Sequence, residues 1–362
     1  MISIDSIITA GPTQAYRISN ADGKTWLLPA SDLAIGLELY QPSGIKGKLL
    51  KTLLPKLHLI PGITALIHAT SERICLRQDV IETAEKAFGV TGLKYSIFGG
   101  TPSVHQKITI QFSQGRKILG YCKLSDSESI RQLFIHEGSL LNHLAAKGLE
   151  GIPKCLTCGT LPDGTSIFIQ STVKTLRSHS PHHWTSLHES FLRRLSELTF
   201  AKTHFRSTEL YASLCALKDN IDRLPVQFQT PILSRIDAIF NAKSDTEVEY
   251  SAFHADFTPW NMIIEGDSLF VFDWEYSRLS YPPMLDRYHF FIQQALHVTH
   301  LSPQQIHENM CAMPWYDPED YTIYLLDIIS RFTLRENRTL SPSLINMLGI
   351  WTNLLERTAN NG

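Results

Sequence analysis

Phe253-His254-Ala255-Asp256-Phe257-Thr258-Pro259-Trp260-Asn261-Met262-Ile263-Ile264, continued by Leu269-Phe270-Val271-Phe272-Asp273-Trp274-Glu275, decides the reading of this chain. Asp256, Asn261 and Asp273 are short polar groups set among large apolar ones. Between the two runs, Glu265-Gly266-Asp267-Ser268 has the composition of a hairpin turn. Such a turn folds the strand bearing Asn261 back on the strand bearing Asp273 and brings an amide oxygen and a carboxylate to adjacent strand ends. Hard oxygens of this kind suit Mg²⁺, which takes few protein ligands and fills its shell with substrate phosphates. Asp256 opens the same loop, where a carboxylate can accept a proton from an attacking hydroxyl. Each residue alone also has a plain structural reading: Asp256 as the cap of the Thr258-Pro259 turn, Asn261 as a turn residue, Asp273 as a strand end. The joint pattern, H-x-D-x-x-x-x-N with an Asp twelve residues later behind four apolar residues, argues for a site.

Upstream, residues 127–147 read as one long helix. Spacing them at about 100° per residue gathers Ile130, Leu133, Phe134, Leu141 and Leu144 on one arc, with Glu137 near its middle. A carboxylate buried there without a partner is costly. Two readings stay open: Glu137 at a rim, reaching water, or Glu137 held by a cation from the neighbouring sheet. Lys123, near the end of Ile118-Leu119-Gly120-Tyr121-Cys122-Lys123-Leu124, is the candidate cation.

Around that helix the chain reads as strands: Leu93–Phe98, Val104–Phe112 and Lys117–Leu124 before it, Pro153–Gly159 and Ser166–Ser171 after it. Residues 1–90 begin with a hairpin signal, Gln14–Ser19 and Lys24–Leu28 about Asn20-Ala21-Asp22-Gly23. A helix is expected there from Asp79, with Glu82 completing a capping box, to Gly89. Residues 172–362 read as helical apart from a β-rich island at 251–276.

The catalytic-looking segment resembles the H-x-D-x-x-x-x-N motif and following metal-binding Asp of the protein-kinase-like superfamily. It is most similar to the aminoglycoside phosphotransferase/choline kinase branch, whose members often read H-G-D-x-x-x-x-N and D-W-E or D-F-E; Ala255 here takes the place of the Gly. The resemblance covers roughly residues 91–300. It implies an α+β, two-lobed protein-kinase-like fold: a five-stranded small lobe over 91–171, a helical lobe over 172–362, and residues 1–90 as an N-terminal extension. It implies ATP and Mg²⁺ as cofactors, Asp256 as catalytic base, and Asn261 and Asp273 as metal ligands. Lys123 then meets the ATP phosphates, with Glu137 as its helix partner. Main-chain N–H groups of Gly99, Gly100, Thr101 and Ser103 would cover the phosphates, although the full G-x-G-x-x-G is lacking and Pro102 removes a donor. Groups from Gln170 to Thr172 would meet the adenine edge. His254 takes a structural role, Glu275 supports the metal through water, and Asp286 either braces the catalytic loop or is only an acid favoured by a helix dipole.

The rest of the sequence narrows the partners. The chain has 362 residues, 33 Lys and Arg against 35 Asp and Glu, and a formal charge of −2, which disfavours nucleic acid as a partner. No stretch of eighteen uncharged apolar residues, no secretory leader and six scattered cysteines fit a soluble, reduced, cytoplasmic protein. Cys155-Leu156-Thr157-Cys158 lacks the second pair that a structural zinc site needs. Lys46–Leu54 alternates cations with leucines. It reads either as a surface helix packed on the protein or as a peripheral membrane contact over 44–60. The acceptor implied is a hydroxyl of a small molecule or carbohydrate, with a cell-envelope sugar or glycan ahead of a choline-like or aminoglycoside acceptor. Trp184, Trp260, Trp315 and Tyr281 are its candidate platforms. A nucleotide-binding pseudokinase serving as an interaction module is the alternative.

Overall fold

The computed structural model describes residues 2–40, 42, 45–57, 69–101, 106–335 and 340–358. The chain forms two compact units: Met1–Ala146, Glu150–His179 and Ile263–Glu275 make the first; Lys147–Leu149, Ser180–Met262 and Tyr276–Gly362 make the second. The α+β class is as expected. The division is interleaved, because the strands flanking Gly266 belong with the first unit.

The first unit is built on an antiparallel sheet of β1 (Ile8–Ser19), β2 (Thr25–Pro29), β3 (Thr70–Leu76), β4 (Lys94–Phe98), β5 (Ile108–Gln114), β6 (Lys117–Ser125), β7 (Cys155–Thr160) and β8 (Ser166–Ser171). Their order is β3-β1-β2-β4-β5-β6-β8-β7. The five strands expected over 91–171 are β4 to β8. The first 76 residues do more than precede them, because β2 pairs with β4 through Trp26↔Phe98 and Leu27↔Ile97 and so extends the sheet to eight strands. The β1–β2 turn forms because the Asn20 side-chain oxygen accepts the N–H groups of Asp22 (3.1 Å) and Lys24 (2.9 Å), with Gly23 at φ 75°.

Period-two alternation separates the two faces of this sheet. Ile110, Cys122 and Ile169 lie opposite one another on one face and are buried with Val80 and Ala84 of the helix Gln78–Phe88. That helix ends at Gly89 as expected, with φ 69°. Its start differs: the N-cap is Arg77, and the Asp79 carboxylate accepts from the Arg77 guanidinium at 2.7 Å in place of a capping box with Glu82. The other face carries Thr109, Gln111, Tyr121, Lys123, Phe168 and Gln170. There the helix Glu128–Ala146 packs Phe134 on Phe168, ring centroids 5.8 Å apart.

In the helix Ile45–Leu57, Leu50 and Leu54 join a cluster with Trp26, Leu28, Leu33 and Leu37, while Leu49 and Leu53 are exposed. Gly44 and residues 58–60 of the basic stretch lie outside the described residues. No helix among the described residues is long and apolar enough to cross a membrane.

The second unit is mainly helical, with a three-stranded sheet of Ala201–His204, Glu247–Phe253 and Arg278–Tyr281. Its centre is the helix Pro318–Arg335, buried from Tyr321 through Ser330 and therefore apolar almost all round. Asp327 on that helix is fully buried, which its partners permit: it accepts from Tyr281 Oη (2.8 Å) and from Arg331 Nε (2.8 Å).

Candidate active site

In the first unit, Lys123 is the hub. Its Nζ donates to Glu137 Oε2 and Oε1 (2.8 and 3.1 Å) and to Asp273 Oδ1 (2.8 Å). Glu137 is fully buried and accepts the Trp274 main-chain N–H at 3.2 Å, so the rim reading is excluded and the paired one holds. Burial alone lowers the Lys123 pKa, but Asp273, Glu137 and Glu275 outweigh it and hold the ammonium above its ordinary value. Burial pushes the Glu137 carboxyl up against the pull of Lys123.

The hairpin about Gly266 is present, with strands Met262–Glu265 and Ser268–Val271 and Gly266 at φ 59°. It leads to Asp273, whose φ of 69° places it in the left-handed region, where Asp is better tolerated than most residues. Two residues on, Glu275 pairs with Lys107. The sequence reading missed Lys107, because it set a strand over 104–112, whereas β5 begins at Ile108 and Lys107 sits just before it. Carboxylate oxygens of Glu137, Asp273 and Glu275 lie within 4.8 Å of one another. Three hard anionic donors against two lysines, with Asp273 a third exposed, fit a divalent cation that completes its shell with phosphate. Asp273→Ala removes the most accessible of these donors. The expected outcome is loss of Mg²⁺-dependent turnover, read by titrating the metal against ADP formation.

The expected phosphate loop is less open than the sequence suggests. The Gly99 N–H donates to Thr25 O at 2.9 Å, and Gly99 O accepts from Gln106 Nε2 at 2.6 Å. Gly100 needs to be glycine: its φ is +80° and a Cβ there would fall 2.3 Å from Lys107 O. Thr101 is exposed, and Ser103 lies outside the described residues. At the end of β8, Gln170 is buried and its Oε1 has no hydrogen-bond partner among the described residues. The N–H groups of Ser171 and Thr172 donate to Lys154 O (3.0 Å) and Leu119 O (3.3 Å), so both are engaged within the unit. Beside Tyr121 the sheet face is roofed by the chain's own segment: Gln111 Nε2 donates to Ile35 O (2.7 Å), and Lys174 Nζ to Glu38 O (2.6 Å).

In the second unit, Asp256 is held at both oxygens. Asn261 Nδ2 donates to Oδ2 at 2.7 Å and to the Asp256 main-chain O at 3.0 Å, and His289 Nε2 lies 3.1 Å from Oδ1. The donor side of the Asn261 amide is thus committed to Asp256, and its oxygen is what it has to offer a cation. Asp286 accepts from the N–H groups of His254 (2.8 Å) and Ala255 (3.0 Å), which decides for the bracing role over a mere dipole effect. His254 is fully buried and its Nδ1 accepts the Asp256 N–H at 3.2 Å, a structural contact as expected. Ala255 sits at φ 68°, so the residue that departs from H-G-D occupies a conformation that favours Gly. Ala255→Gly should relieve about 1 kcal/mol of backbone strain, partly offset by unfolded-state entropy, without loss of turnover; urea unfolding checks it.

Burial raises the Asp286 pKa to about 7, against the two N–H groups that lower it. A carboxyl raised on folding binds its proton more tightly in the native state. Its cost to stability is therefore absent below about pH 4 and grows until pH passes about 7. Wild type minus Asp286→Asn, compared by urea unfolding at pH 4 and pH 8, should show that slope.

Of the expected aromatic platforms, Trp260 is exposed and Trp184 packs on His188, Phe257, Phe290 and Phe291. Trp315 lies against Phe291 with the Arg287 guanidinium 5.5 Å from its ring centre. Tyr281 is not a platform: it is fully buried, bonded to Asp327 and stacked on Phe253.

No family model and no curated protein sequence matches this chain. Solved structures do. The crystal structure of the aminoglycoside phosphotransferase APH(4)-Ia aligns with a TM-score of 0.53 at 14% identity, over 78% of this chain and 98% of that one. A thermostable mutant of that enzyme, in a ternary complex with ADP and hygromycin B, aligns with a TM-score of 0.52 at 13% identity, over 79% and 99%. The chain has the fold of these aminoglycoside phosphotransferase structures.

Proposed function

We propose that this protein is an ATP- and Mg²⁺-dependent phosphotransferase that moves the γ-phosphoryl group to a hydroxyl of a small molecule or carbohydrate. The observation that carries the reading is the ammonium of Lys123 shared between the buried Glu137 and Asp273. A fully buried carboxylate in a helix is expensive as a purely structural device, and it fixes a cation beside the carboxylate best suited to hold a metal.

Phosphoryl transfer asks for positioned charge more than covalent participation. Lys123 binds phosphate oxygens and Glu137 orients it, while Asp273 is the residue of the first unit that would hold Mg²⁺ and Asn261 is the further ligand that the motif resemblance implies. The metal's contribution when bound is to neutralise charge on the phosphates. Asp256 orients the acceptor hydroxyl and takes its proton at a carboxylate oxygen. Retention of each polar residue the chemistry requires favours an enzyme over a pseudokinase. A sugar or glycan of the cell envelope is the acceptor class proposed first, with a cytoplasmic site of action. The test is an acceptor screen following γ-phosphate transfer from ATP, with Asp256→Asn as control. Nucleotide binding without transfer to any acceptor would favour the pseudokinase.

A further inference from the structure

Resting on the kinase reading, we infer that His289 is a positioning residue: its Nε2 fixes the Asp256 carboxylate, and the ring is itself held in place at Nδ1 by Tyr324. The helix Asp286–His297 presents Asp286 and His289, one turn apart, to the catalytic loop. Asp286 takes the loop's main-chain N–H groups, and His289 takes its carboxylate. One helical face therefore clamps both the backbone and the reacting side chain.

Hydrogen-bond valence sets the direction of every bond in this chain of groups. An ionised Asp256 only accepts, so the His289 Nε2 at 3.1 Å carries the proton. In a neutral ring Nδ1 must then accept, and Tyr324 Oη lies 3.3 Å from it. The Tyr324 hydroxyl donates to Nδ1 and its oxygen takes the Gln293 Nε2–H at 3.4 Å. His289 and Tyr324 are both buried, and burial lowers the His289 pKa despite Asp256, which keeps the ring neutral. The charged groups bearing on the ring are Asp256, Arg331 and Asp327. Asp327 is neutralised by its pairing with Arg331. Asn261 holds the other oxygen of Asp256 at 2.7 Å. With both oxygens tethered, the carboxylate has one orientation to offer an acceptor, and that preorganisation is what His289 adds.

The experiment measures ADP formation from Mg·ATP with water as the probe acceptor, alongside ADP affinity and unfolding midpoint. His289→Leu should lower kcat by about 10- to 100-fold with the ATP KM within about threefold. His289→Gln can place an amide N–H where Nε2 stood and should recover most of that loss. Tyr324→Phe keeps the packing and removes the hydroxyl that holds Nδ1; it should cost about three- to tenfold, and it answers the question if the Leu variant does not fold. A purely structural role predicts the reverse pattern, a lowered midpoint with kcat intact, or equal losses in the Leu and Gln variants; either overturns the inference. If His289→Leu is harmless while Asp256→Asn is not, the inference alone falls. If Asp256→Asn is also harmless, the kinase reading falls with it.

Discussion

Asp256→Asn is expected to lower turnover by about 10²- to 10⁴-fold while nucleotide affinity stays within a few-fold. The effect is large because the substitution removes the proton acceptor and also disorders what remains. Both Asp256 oxygens accept hydrogen bonds, from Asn261 on one side and His289 on the other. An amide has one accepting end. If its NH₂ group turns to Asn261 it faces another donor, and if it turns to His289 the ring must move its proton to Nδ1 and reverse its bond with Tyr324, so the side chain either leaves its place or rearranges the groups behind it. Single-turnover ADP formation separates this from a binding defect, and an Asn variant turning over at the wild-type rate would sink the assignment of Asp256 as base.

Lys123→Met is the second large effect, and it moves two observables. Removing the ammonium leaves the fully buried Glu137 with Trp274 N–H as its remaining described donor, at 3.2 Å. Breaking a buried pair on one side costs about 3–5 kcal/mol. For a unit of this size that is a fall of roughly 10 °C in Tm. Binding of Mg·ATP should be lost as well. The double variant Lys123→Met/Glu137→Leu separates the two, since it deletes the stranded charge: stability should return and nucleotide binding should not. A single variant that melts with wild type and still binds Mg·ATP would remove the carrying observation of the proposed function.

The parts of the site that could be read in advance are those in which one residue type is hard to justify otherwise. Glu137 sits in the middle of an apolar arc, which left a rim carboxylate or a paired one, and the strand before the helix offered Lys123 as the partner. The spacing from Asp256 to Asn261, and the turn before Asp273, are local patterns that survive into the fold. His289 carried a weaker signal: it stands one helical turn after Asp286, a residue weighed as a brace for the loop, and the same face would have led to it. Lys107 had none, because its partner Glu275 is 168 residues away.

The amino-acid order by itself therefore set the five strands and the helix around Lys123 and Glu137 through their apolar periods, the hairpin after Asn261 through its turn residues, and Lys123 as the candidate partner of Glu137 through the cost of an unpaired buried charge, while burial in the fold decided that pairing. Tertiary structure alone decided that residues 8–76 add three strands to the sheet, that the N–H groups of Ser171 and Thr172 are already spent, and that His289 and Tyr324 stand behind Asp256. The physical reason is reach: a period or a turn is written in neighbouring residues, whereas an edge-to-edge strand pairing or a buried hydrogen-bond chain joins groups whose separation along the chain carries no trace of their meeting.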